Sequence, residues 1–143
     1  SASNNNLDLF GEMAMCAKLH KAFSTDPTVL CAEKVVEMAT LGGARVLGMA
    51  DQIGSITPGK RADIILVNMN KPHLTPLYNP FSHLVYAASG ADVATSIIDG
   101  RIVMKDRRLL TVDLNEVMGE VRKIGATIAR EGVKRRRGSL YPE

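Results

Sequence analysis

Tryptophan is absent from these 143 residues, and aromatic residues make up only 4% of them. No apolar run approaches the ~20 residues that a membrane-spanning helix requires. The first ten residues, SASNNNLDLF, lack the basic and apolar regions of a secretory signal. Cysteine is scarce too. Cys16 and Cys31 are too few for a disulfide framework and form no CxxC metal pair, which points to a reducing, cytoplasmic setting. Both lie in apolar helical patterns, where a free cysteine serves as a small core residue. The three histidines, His20, His73 and His83, form no HxH or HExxH motif. There is no GxSxG and no Walker loop, and Gly42-Gly43 lacks the preceding strand that a phosphate loop needs, so it reads as a helix break.

A basic body is missing as well. Lys and Arg number 18 against 15 Asp and Glu, but Lys134, Arg135, Arg136 and Arg137 supply four positives, leaving 14 against 15 elsewhere. The basic run reads as a solvated helix end rather than a nucleic-acid surface. What the chain does have is a globular balance, 45% hydrophobic and 23% charged.

Periodicity predicts helix over residues 7–22, with Leu9, Met13, Cys16 and His20 on one apolar stripe. On that stripe His20 reads as a packed, hydrogen-bonded histidine. Ser24-Thr25-Asp26-Pro27 breaks the pattern, and a second helix is expected from Thr28 to Thr40. Gly42-Gly43 should interrupt it, with one more turn that Gly48 can end. Thr57-Pro58-Gly59-Lys60 carries the residues of a type II turn. The run Ala62–Val67 reads as a buried strand, and residues 70–82, with Pro72, Pro76 and Pro80, as an extended connection. Residues 84–88 are ambiguous. His73 among the prolines and His83 beside this stretch read as surface or structural. Val93–Ile98 and Ile102–Lys105 flank Asp99-Gly100, a hairpin signal, and Leu109–Val112 should add a third strand. Asp113 and Glu116 form a capping pattern for a last helix with a stripe of Leu114, Val117, Val121, Ile124 and Ile128, ending near Gly132. Asp63, an acid inside an apolar strand, needs partners. Its structural reading is an anchor accepting hydrogen bonds from backbone or Arg61, and no second catalytic group is patterned beside it.

Helices, then strands, then one helix is not the alternation of a complete parallel sheet. The stretch MATLGGARVLGMADQIGSITPGKRADIILVNMN (residues 38–70) resembles the C-terminal signature of metal-dependent amidohydrolases. SASNNNLDLFGEM is similar to the segment after the metal-binding Asp in the branch of methylthioadenosine/S-adenosylhomocysteine deaminases and triazine chlorohydrolases. NPFSHLVYAASGADV and SIIDGRIVMKDRRLL match that branch as well.

The resemblance implies an α/β fragment of a TIM-like (β/α)8 barrel protein. Residues 1–50 would be the last barrel helices, 51–112 the C-terminal share of a small composite β-sandwich, and 113–143 a closing helix and basic tail. It implies a parent that hydrolyses C–N (amino) or C–Cl bonds on heterocycles with a divalent metal, Zn or Fe. The family's HxH, two later His and Asp have no counterpart in this sequence, so no catalytic residue, substrate contact or metal ligand is assigned. Ser3, Asn4 and Asn5 would shape the loop behind the family's metal Asp, or simply cap a helix before Leu7. The expected partners are the missing N-terminal barrel portion and further copies of the chain, with no nucleic acid and no membrane. A stand-alone oligomerisation module without catalysis is the alternative.

Overall fold

The computed structural model describes residues 5–138, and side chains as far as residue 131. Ser3, Asn4 and the side chains of Lys134–Arg137 lie outside the described residues. Asp8 opens the first helix, α1 (Leu9–Ser24): its Oδ1 accepts the Phe10 N–H at 3.0 Å. The cap is thus Asp8, not the expected Ser-Asn-Asn run, because the helix begins two residues later than Leu7. Phe10, Met13 and Ala17 form the buried face of α1. That face is rotated from the expected stripe: Leu9 and His20 are exposed, and His20 only faces the Cys16 carbonyl, Nδ1 to O, at 3.0 Å.

Helix α2 (Ala32–Glu37) leads into a π-helical turn (Met38–Gly42) and then α3 (Gly43–Val46). Gly42-Gly43 therefore does not break the helix. The Thr40 hydroxyl donates to the carbonyls of Val36 and Glu37, competing with backbone donors for them, and the ladder widens by one residue instead of ending. The stop comes at Gly48, where the Met49 N–H reaches the Ala44 carbonyl and the Gly48 N–H that of Arg45, a Schellman closure. Cys31 precedes α2 and is exposed, while Cys16 is half-buried, so neither is a full core residue. Residues 70–82 are not featureless either. Pro72–Leu74 form a 3-10 turn with Leu74 fully buried, and α4 (Pro80–Tyr86) starts with Pro80 in its first turn behind the Asn79 cap. Two of the three prolines thus start helical turns, where a missing N–H costs nothing.

The sheet runs β1 (Ile64–Val67), β2 (Val93–Ile98), β3 (Arg101–Lys105) and β4 (Arg108–Leu109), in that spatial order. β1–β2 and β2–β3 are antiparallel, with Ile64 opposite Ile97 and Ile98 opposite Arg101. The β2–β3 turn is Asp99-Gly100, both at positive φ as a type I′ hairpin demands. β1 is not the buried strand expected. It is an edge strand, and Ile65 and Leu66 are each half exposed. The expected strand at 109–112 shrinks to β4. Phe10, Met13, Ala17, Ala32, Val35, Val85 and Val93 make one core, so α1, α2 and α4 pack together at the start of β2.

Residues through Arg108 form one compact unit and residues from Leu109 a second. The second is built on α5 (Leu114–Gly138), capped by Asp113, whose Oδ1 accepts the Asn115 and Glu116 N–H groups. It runs past Gly132, since a single glycine weakens a helix without ending it. Among the described residues no helix is long and apolar enough to cross a membrane.

Candidate functional site

The turn Ser89-Gly90-Ala91-Asp92 collects the densest set of polar contacts near the core. Ser89 and Asp92 cap each other: the Ser89 N–H and hydroxyl donate to Asp92 Oδ2 at 2.8 and 3.2 Å. Lys71 Nζ lies 2.7 Å from Asp92 Oδ1, and His73 Nε2 lies 3.2 Å from Oδ2. The 3-10 turn at Pro72–Leu74 brings both donors over the acid, which is 2% exposed. Burial alone would raise its pKa. The hydrogen bonds from Lys71, the Ser89 amide, His73 and the Ser89 hydroxyl more than offset that and hold the carboxyl well below the usual carboxylate range.

Two further side chains converge on the same turn. Asp8, while capping α1 through Oδ1, accepts the Gly90 N–H on Oδ2 at 2.9 Å. Arg107 donates to the carbonyls of Gly90 and Val93 at 3.0 and 3.1 Å. One four-residue turn thereby fastens the start of α1, the Lys71–His73 segment, the start of β2 and the turn after β3. Asp92 has its oxygens filled by protein donors, so this junction can hold segments in place but offers no free base.

The predicted site residues fall elsewhere and apart. Asp63 is exposed, and its Oδ1 accepts the Asp99 N–H at 2.7 Å, tying β1 to the β2–β3 turn without help from Arg61. Asn5 is exposed. His83 faces the carbonyls of Asn79 and Pro76. An open hollow of about 300 Å³ beside Asp63 is lined by Ser55, Thr57, Lys60 and Arg61. Its lysine already donates to the carbonyls of Ala50 and Ile53. Among the described residues no three His, Cys, Asp or Glu side chains converge to hold a metal, so these residues do not fit a catalytic zinc site, which needs about three protein ligands.

Asp8 and Asp92 were not singled out from the sequence. The signal was present: Ser89-x-x-Asp92 is a variant of the capping pattern recognised at Asp113 and Glu116. What no spacing could show is that Lys71 and His73, about twenty residues earlier, meet that cap.

The amidohydrolase family pattern matches residues 1–103. The 5-methylthioadenosine/S-adenosylhomocysteine deaminase of Syntrophobacter fumaroxidans is 61% identical over 127 residues, 89% of this chain and 29% of that protein. The 5'-deoxyadenosine deaminase of Methanosarcina mazei is 50% identical over 122 residues, 85% of this chain and 28% of its own length. Among solved structures, a zinc-bound adenosine deaminase from Xanthomonas campestris superposes with a TM-score of 0.87 at 39% identity, covering 90% of this chain and 29% of that one. This chain therefore spans under a third of the length of these relatives. With the pattern matched from residue 1 to 103, through the α1, α2 and α4 core and into β3, the chain belongs to the amidohydrolase family.

Proposed function

We propose that this chain is the C-terminal part of a hydrolytic deaminase acting on adenosine-type substrates. The observation that carries the reading is the 61% identity, over 89% of the chain, to a protein named for deaminating 5-methylthioadenosine and S-adenosylhomocysteine. In such a reaction water replaces an exocyclic amine on an amidine-like ring carbon, and the amine leaves as ammonia once protonated. On this reading the share of this chain would be architectural. Its three packed helices and antiparallel sheet would be one end of a barrel and its attached β-structure. The junction at Ser89–Asp92 would hold the start of α1, where the chain resumes after the family's metal-binding segment. The free thiols of Cys16 and Cys31 accord with a cytoplasmic setting.

The test is ammonia release by the intact protein from 5'-methylthioadenosine, S-adenosylhomocysteine, 5'-deoxyadenosine and adenosine, beside chloro-triazines and hydantoins. Ammonia from the nucleosides is expected. Chloride release alone, or opening of cyclic amides alone, overturns the substrate class.

A further inference from the structure

The turn Ser89–Asp92 has little freedom to move. Three of its carbonyls in succession each accept from a different stretch of chain. Arg107 Nη1 lies 3.0 Å from the Gly90 oxygen, Lys71 Nζ 3.1 Å from that of Ala91, and the Asn68 N–H donates to that of Asp92 at 2.8 Å. The Asp92 carboxylate, itself buried, ties the turn from within through the Ser89 N–H. Backbone groups this fully paired are costly to displace, so the turn is a fixed reference for whatever is bonded to it. Asp8 rests directly on it. A Cβ added at Gly90 would meet the Asp8 carboxyl atoms at 3.4 to 3.6 Å.

A helix cap needs one oxygen. Asp8 Oδ1 meets that need at the Phe10 N–H, which leaves Oδ2 for the Gly90 N–H at 2.9 Å, 82 residues along the chain. An asparagine there would cap α1 equally well, but it has a single oxygen and would set its own N–H donors against that of Gly90. A carboxylate can do both. What the second bond fixes is the point where the chain enters α1. In a (β/α)8 barrel the chain passes from a strand through a βα loop into the N-terminus of an outer helix, and active sites are built from those loops. With α1 as such a helix, residues 5–7 end one of the loops, and Asp8 pins that end to the turn that opens β2.

We propose that Asp8 is a positioning residue: it holds the loop that enters α1 against the Ser89–Asp92 turn, and so keeps the catalytic face in register without touching substrate. The inference rests on the deaminase reading above. Asp8→Asn in the intact protein separates the two tasks, since the cap survives and the bond to Gly90 does not. For ammonia release from 5'-methylthioadenosine, kcat should fall about tenfold with KM within about twofold, because misplaced reacting groups weaken the transition state more than substrate binding. The matched control is Asp63→Ala. It breaks another long-range carboxylate bond, Asp63 Oδ1 to the Asp99 N–H, at the end of β1 away from Asn68. It should lower the urea midpoint comparably and leave kcat unchanged. Amide exchange at Asn5, Asn6 and Leu7 should quicken in Asp8→Asn, and also in Asp92→Asn, which loosens the turn, while Phe10 stays protected in both.

Full kcat in Asp8→Asn overturns the inference and leaves the deaminase reading standing. A loss of kcat that Asp63→Ala shares overturns it too, by assigning the loss to general destabilisation. So does a rise in KM alone, which would make Asp8 a substrate contact, and so does unchanged exchange at residues 5–7 in Asp92→Asn. An unsubstituted protein that releases no ammonia from any nucleoside overturns the deaminase reading, and this inference with it.

Discussion

Asp92 keeps a negative charge with almost no contact with water, which is tolerable only because four donors surround it. Asp92→Asn should lower stability by about 2 kcal/mol, since it leaves Lys71 and His73 facing a neutral amide. The pH dependence has a definite sign. A carboxyl held below its unfolded value stabilises the fold above that value, about 3.9 for Asp, and the stabilisation is lost as pH falls further. Urea midpoints of the parent and of Asp92→Asn should therefore differ at pH 7 and converge as the pH is taken from about 5 downward. A gap that does not narrow at all between pH 5 and pH 3 would assign the effect to packing rather than charge. Asp8 carries two backbone bonds, one within α1 and one 82 residues away. Asp8→Ala should cost about 1 kcal/mol as a lost cap. Amide exchange should speed up at both Phe10 and Gly90, whereas a cap with no long-range role would affect Phe10 alone.

The elements depend on two glycines in opposite ways. Gly54 has a φ of +86°, and an added Cβ would sit 2.7 Å from the Ala44 Cβ, at the start of α3. Gly54→Ala should destabilise by about 2 kcal/mol through strain and collision together. Adding Ala44→Gly should recover only part, because it relieves the contact with Ala44 and leaves both the strain and the close approach to the Leu41 and Thr40 backbone. Gly119 in α5 meets nothing within 4 Å. Gly119→Ala should stabilise α5 by about 1 kcal/mol, seen as a rise in its helical melting temperature. At this scale the sequence was legible wherever a local rule had no competitor. The Asp113 cap, the Asp99-Gly100 hairpin and the turn closed by Lys60 N–H on the Thr57 carbonyl stand where residue types alone put them. Gly42-Gly43 misled because the Thr40 hydroxyl offered the helix a wider turn in place of an end.

For the whole molecule, the described residues contain no metal-ligand cluster, and the relatives are more than three times as long. The 143-residue chain by itself, dialysed after exposure to zinc, should keep less than stoichiometric metal and release no ammonia from 5'-methylthioadenosine. Stoichiometric zinc with turnover would mean that a site forms from residues that the described fold keeps apart.

Composition, helical and strand periods, caps and family membership were determined by the sequence itself, because each depends on neighbours within a few residues or on a matched run of residues. The order helix, strand, helix follows from the same local periods. Which face of α1 is buried, why β1 stays half exposed and where the buried acid sits were decided only by the tertiary structure. The stripe Leu9–Met13–Cys16–His20 and the face Phe10–Met13–Ala17 both recur at helical spacing, and packing of α1 with α2 and α4 chose between them. Asp63 drew notice for its apolar neighbours in sequence, yet the edge position of β1 leaves it in water. Asp92 looked ordinary, yet a capped turn, a 3-10 turn and the start of α1 close around Ser89–Asp92. Burial and hydrogen bonding are set by groups that meet across tens of residues, and only folding brings them together.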